Sequence, residues 1–263
     1  MAPFRWLVSA VLAGFHDGLS ALGMPAASGW TWTLSIIGLV LVIRAALIPV
    51  FVKQVKAQHR MRLLQPDLKN LQEKYKGKTD PLSRQAMAQE QMALYKKHGT
   101  NPFSACLPLL IQMPFFFALF QVLSGISTAA GQNEGIGAMN AEQVRQFDES
   151  TIFGAPLSAS LLHGSTAGGD GNVAAVWILS IVMILVMTAA QFITQKQIMA
   201  RTLSEEALAS PLMAQQRVIL YSLPVVFGVG GIVFPLGVLI YWTTTNLWTM
   251  GQQFFIRWDR MGP

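Results

Sequence analysis

Residues 30–52 read WTWTLSIIGLVLVIRAALIPVFV, an apolar run that holds a single charge, Arg44, and no acid. At about 1.5 Å of rise per helical residue, Arg44 lies roughly 13 Å along the axis from Lys53, the first charge on the far side. An unpaired guanidinium at that depth costs at least about 2.5–3.5 kcal/mol on insertion scales. Water, a partner from another helix or a polar ligand must offset that cost.

The rest of the chain fits the same environment. Of 263 residues, 52% are hydrophobic and only 12% are charged, and the mean hydropathy is positive. That composition excludes an ordinary soluble domain and points to a polytopic membrane protein. Further stretches of spanning length occupy 103–127 and 173–195. The apolar block from 217 is too long for one span, and Pro224, the Gly228/Gly230/Gly231 cluster and Pro235 offer turn chemistry within it. Dividing it into 217–234 and 235–257 gives five spans, the fourth short enough to need a thinned bilayer or shielding by its neighbours.

Charge sets the orientation. Eleven of the 19 Lys and Arg residues fall between 53 and 100, whereas 128–172 carries only Arg145 against Glu134, Glu142, Asp148, Glu149 and Asp170. The positive-inside rule makes 53–102 cytoplasmic and 128–172 extracytoplasmic. Lys196, Arg201 and Arg217 then mark a cytoplasmic loop at 196–216, and Arg257 and Arg260 a short cytoplasmic tail reaching 258–263. Residues 1–29 include an apolar stretch, 4–15, too short for a span, and read as an interfacial amphipathic helix or a signal-like segment. The net charge of +6 reflects topology and anionic headgroups, with no direct nucleic-acid partner, because the basic segment lacks a recognisable binding motif.

The basic segment has an internal pattern. Met61, Leu64, Leu68, Leu71 and Tyr75, then Leu82, Met87, Leu94 and Tyr95, recur at largely helical spacing around Gly77-Lys78-Thr79-Asp80-Pro81. That punctuation predicts an antiparallel helical hairpin, with Asp80 as N-cap, Pro81 at the first helical position and a kink or restart at Pro66.

The chemistry-bearing motifs are mostly missing. The chain has no glycine-rich phosphate loop, and His16, His59, His98 and His163 lie outside the spans without metal-ligand spacing. Cys106 is the only cysteine, suited to packing rather than to a disulfide. His163-Gly164-Ser165 sits among Gly, Ser and Thr and reads as loop. Neither a catalytic role nor a cofactor nor a metal is called for. What the spans do hold is neutral polarity: Gln112, Gln121, Gln191, Gln195, Thr243, Thr244, Thr245 and Asn246. Such groups face a bundle interior or a wet cavity.

Three stretches, VIRAALIPVFVKQ, MRLLQPDLKNLQEKY and QEQMALYKKHGTNPFSACLPLLIQMPFFFALFQVL, together with LPVVFGVGGIVFPLGVLIYWTTTNLWTMGQQ, resemble the YidC/Oxa-type membrane protein insertases. The resemblance covers most of residues 30–257 in the family's order. It implies an all-α polytopic membrane protein of the bacterial cytoplasmic membrane, with five transmembrane helices around a hydrophilic groove open to cytoplasm and lipid. It further implies that Arg44, Gln112 and Trp242 line that groove, with Gln191 or Gln195 contributing from the third span.

The implied activity is insertion of nascent membrane proteins into the bilayer without nucleotide hydrolysis. Ribosome and secretion translocon are further partners that the resemblance brings into view. The chain departs from many members in placing Val40 where they carry a hydroxyl, and in showing neither a large outer domain nor an N-terminal lipidation cysteine. Two other classes fit an intramembrane arginine: a channel or transporter with an arginine-lined cavity, and a structural subunit of a larger translocon.

Overall fold

Pro49 divides the first apolar run. Its ring has no N–H to donate and crowds the carbonyl four residues back, which favours a break just before it. In the computed structural model, which describes residues 2–78, 80–99, 107–162, 172–202 and 211–255, α2 (Gly29–Ala46) stops just short of it. After Leu47, α3 (Ile48–Leu63) begins and carries the chain without interruption past Lys53. The expected boundary at 52/53 is therefore interior to a helix.

Before this pair stands α1 (Ala2–Ala21). It is longer than the apolar stretch at 4–15, because His16 does not end it. The imidazole is buried and stacks on Trp32 at 3.9 Å. Its Nε2 lies 2.9 Å from the Ala26 carbonyl and its Nδ1 3.1 Å from Asp17. A pairing of this kind satisfies both ring nitrogens, so the helix can bury the residue that composition alone marks as a stop.

Leu64 separates α3 from α4 (Gln65–Lys74), and Pro66 occupies the first turn of the new helix, where a missing N–H costs nothing. α5 (Pro81–Lys97) follows, with the Asp80 carboxylate accepting from Ser83 N at 2.8 Å and Pro81 opening the helix. Leu64, Leu68 and Tyr95 form a small apolar cluster between α4 and α5. Lys74 and Tyr75 both donate to Glu90, at 2.7 and 2.8 Å. His98 Nε2 lies 2.9 Å from Asp67, so the start of α4 meets the end of α5. The two donors hold the Glu90 carboxyl below its ordinary range, and the same hydrogen bonds raise Lys74 and Tyr75.

The remaining elements are α6 (Leu107–Gln132), α7 (Ala141–Glu149), β1 (Thr151–Ile152), β2 (Ala155–Pro156), α8 (Val173–Thr202), α9 (Pro211–Gly230) and α10 (Leu236–Phe255). Of these, α7 and the β1–β2 ribbon lie where the sequence reading has only a loop. Asn140 and Gln143 form a reciprocal capping box that starts α7. Val144 and Phe147 then bury its inner face, Phe147 edge-on to Trp32 at 5.1 Å. Pro224 lies inside α9 and does not end it; the turn falls at residues 231–235. Asn101-Pro102, Cys106, His163, Arg257 and Arg260 lie outside the described residues.

Among the described residues, three helical segments are long and apolar enough to cross a membrane: Gly29–Ala46, Ile111–Gln132 and Val173–Met199. Among the described residues of α9, Tyr221–Gly230 forms a shorter apolar segment. α10 has the length, but Thr243, Thr244, Thr245, Asn246, Thr249, Gln252 and Gln253 interrupt its apolar character. The main core joins α1, α2, α6, α7 and α10 through Leu12, Trp32, Ile36, Leu123, Phe147 and Val238. A second cluster, with Val176, Met187, Leu236 and Leu239, joins α8 to α10. Where α8 and α9 meet, a Cβ on Gly228 would stand 2.7 Å from Thr188 Oγ1, so the absence of a side chain permits that approach.

Candidate functional site

The helices leave a cavity of about 480 Å³ between α2, α3, α6, α8, α9 and α10. Arg44, in the last turn of α2, reaches across to α10. Its Nη2 donates to Thr249 Oγ1 at 2.9 Å and to the Thr245 carbonyl at 3.2 Å. The Thr249 hydroxyl in turn donates to the same carbonyl at 2.9 Å. A hydroxyl has one proton and two lone pairs, so giving the proton to Thr245 leaves it to accept from the guanidinium. Among the described residues no Asp or Glu lines the cavity.

A four-residue step places Tyr241, Thr245, Thr249 and Gln253 on one face of α10, and all four line the cavity. Gln112 Nε2 donates to the Tyr241 hydroxyl, tying α6 to α10. At the end nearest the 231–235 turn the lining is aromatic. Trp242 packs against Phe116, Phe227 and Phe234, with centroids 5.1, 5.2 and 5.4 Å away. Toward the other end, roughly 18 Å along α10, Gln253 and Gln54 take over. The cavity thus grades from an aromatic end to a polar one.

Arg44, Gln112, Gln191 and Trp242 therefore converge on one cavity. Gln195, one turn further along α8, is not among the residues lining it. Sequence reading passed over Tyr241, Thr249, Gln253 and Gln54. The first three were signalled by their four-residue step with Thr245. Gln54 carried no signal, because its placement depends on how α3 leaves the Leu47 break. Two polar atoms here are buried without a partner among the described residues: Arg44 Nε and Asn246 Nδ2. The described residues contain no group of three or more His, Cys, Asp or Glu able to hold a metal.

Apolar helices of spanning length around a polar, arginine-containing cavity define a multi-pass membrane protein with an internal polar site. The chain belongs to the family described as the 60Kd inner membrane protein, whose family model matches residues 24–261. Among curated relatives, a membrane protein insertase YidC of Streptomyces avermitilis is 43% identical over 95% of this chain and 56% of its own length. The chain thus spans little more than half of that relative. A membrane protein insertase YidC of Tropheryma whipplei is 43% identical over 96% of this chain and 82% of its own. One from Bifidobacterium longum is 34% identical over 94% and 72%. Among solved structures, an active YidC insertase with its first transmembrane domain resolved aligns with a TM-score of 0.56. Its identity is 20%, covering 95% of this chain and 46% of that one, a likeness of fold. The relatives place the family in bacterial membranes.

Proposed function

We propose that this chain is a membrane protein insertase whose working part is the Arg44 cavity, a hydrated groove open to the cytoplasm and to lipid. The observation that carries this reading is a guanidinium held within the bundle, among the described residues, by neutral acceptors. A carboxylate partner would satisfy it permanently. A hydroxyl and a carbonyl leave its full charge uncompensated, ready for a transient acidic or carbonyl partner. Buried polar atoms without partners cost about 1–3 kcal/mol each when dry, and Arg44 Nε and Asn246 Nδ2 are such atoms among the described residues. Family membership and relatives named as insertases point the same way.

In this account α2, α6, α8, α9 and α10 are the five spans, with the N-terminus outside and the C-terminus in the cytoplasm. α4 and α5 form a basic cytoplasmic hairpin that meets the nascent chain, the ribosome or a secretion translocon. The short hydrophilic end of the substrate enters from the polar end of the cavity. Arg44, Gln112, Gln191 and water replace part of its hydration, while the aromatic end around Trp242 closes the outer side. The apolar segment partitions into lipid, gaining about 0.8 kcal/mol per buried methylene. Burial drives the step, so no nucleotide is hydrolysed.

Reconstitution into protein-free vesicles tests this reading. The purified chain is expected to insert a single-span substrate without nucleotide and without conducting ions. Ion flux with no insertion would establish a channel instead, and failure of the lone chain to insert anything would make it a structural subunit.

A further inference from the structure

The ribbon between α7 and α8 turns through Phe153 and Gly154, both at positive φ, 51° and 79°. Two consecutive positive φ values are the pattern of the tight hairpin turn that Asn-Gly satisfies best. A phenylalanine there works against its own Cβ and is held only where something compensates. Inside the protein little does. Phe153 is 72% exposed, and its ring meets Trp30 edge-on at 5.5 Å, Trp30 itself being 50% exposed.

The turn is fixed in height by two spans. A Cβ on Gly29, the first residue of α2, would lie 2.1 Å from the Thr151 carbonyl, so ribbon and helix start are in backbone contact. Asn172 N donates to the Gly154 carbonyl at 3.2 Å, one residue before α8 begins. Two helical segments apolar enough to cross a membrane, Gly29–Ala46 and Val173–Met199, thus begin at this turn. Their common start defines where the hydrocarbon region ends; bilayer interfaces favour Trp at that level, and Phe joins it on the apolar face of interfacial segments.

We propose that Phe153 and Trp30 form a membrane anchor, their rings entering the headgroup–acyl boundary and seating the α7–ribbon segment on the bilayer surface. The lipid interface compensates the strained turn. This holds whatever the chain transports, so its failure and the failure of the insertase reading are separate results.

The test places bimane on Phe153→Cys in a Cys106→Ser background, in vesicles carrying nitroxide near the lipid headgroup. Glu142→Cys, on the charged face of α7, serves as the aqueous control, and Leu185→Cys, on the exposed apolar face of α8, as the deep control. Shallow nitroxide is expected to remove clearly more of the emission at 153 than at 142. Emission at 153 matching that at 142, or shielding at 153 from both nitroxide lipid and aqueous iodide, overturns the proposal, the second result showing a protein cover. Should Phe153→Cys fail to fold, Thr151→Cys on the exposed side of the same ribbon gives the same reading.

Discussion

Arg44 and Thr249 lie 205 positions apart in sequence and 2.9 Å apart in the fold, guanidinium nitrogen to hydroxyl oxygen. The contact explains how one charge is kept within a bundle of apolar helices. Thr249 gives its proton to the Thr245 carbonyl and turns its lone pair to the cation. Arg44 is thereby pinned to α10 while remaining beside the cavity.

Thr249→Val removes the acceptor and keeps the shape. Hydrogen bonds to charged groups contribute about 1.5–3 kcal/mol, so thermal unfolding in detergent is expected to show a loss of that order. Thr249→Ser, which keeps the hydroxyl, is expected to recover most of it. Wild-type stability in Thr249→Val beside a loss in Thr249→Ser would mean that the threonine methyl, not the hydroxyl, supplies the stability.

Gly29→Ala is expected to destabilise by about 1–3 kcal/mol, the cost of overpacking a closed contact. The new Cβ would meet the Thr151 carbonyl, which is backbone and cannot rotate away. Gly230→Ala, with nothing within 4 Å, is the matched control and is expected to leave unfolding unchanged or slightly harder. The two unfolding curves side by side decide the point.

The α4–α5 contact is expected to be pH-dependent at both extremes. Glu90 is held below its ordinary range, so its contribution is full above the unfolded glutamate value of about 4.3 and fades as pH falls through the lowered folded one. Lys74 and Tyr75 are raised, so theirs is full below about 10 and fades as pH climbs through the raised values. Amide protection across 65–97, taken relative to the intrinsic exchange rate at each pH, is expected to fall at both ends of the pH range in the wild type. Glu90→Gln should flatten the acid limb, and an unchanged acid limb would assign that opening to another group.

Much of this was legible in the sequence, for physical reasons that differ by residue. Arg44 stood out because no acid shared its span, and the fold gives it the neutral partners that this absence implies. Pro66, Asp80 and Pro81 announced helix starts through local chemistry, which tertiary packing rarely overrides. α7 was equally local: Asn140 and Gln143 have capping-box spacing, but weighing 128–172 only by its charge balance hid it. The persistence of α1 through His16 was not legible, since it depends on the Trp32 ring and the Ala26 carbonyl. Gln191 and Gln195 share a helix face, and only the packing of α8 shows which of them reaches the cavity.

The most direct measurement is insertion into protein-free vesicles of two single-span substrates, alike except for an acidic or a neutral translocated segment. The wild type, Arg44→Lys and Arg44→Ala are compared on both. The account predicts that Arg44→Ala loses insertion of the acidic substrate by tenfold or more, as expected when about 1.4 kcal/mol or more of charge stabilisation is lost. Arg44→Lys should retain much of it, and the neutral substrate should be affected far less. Full insertion of the acidic substrate by Arg44→Ala would contradict the account.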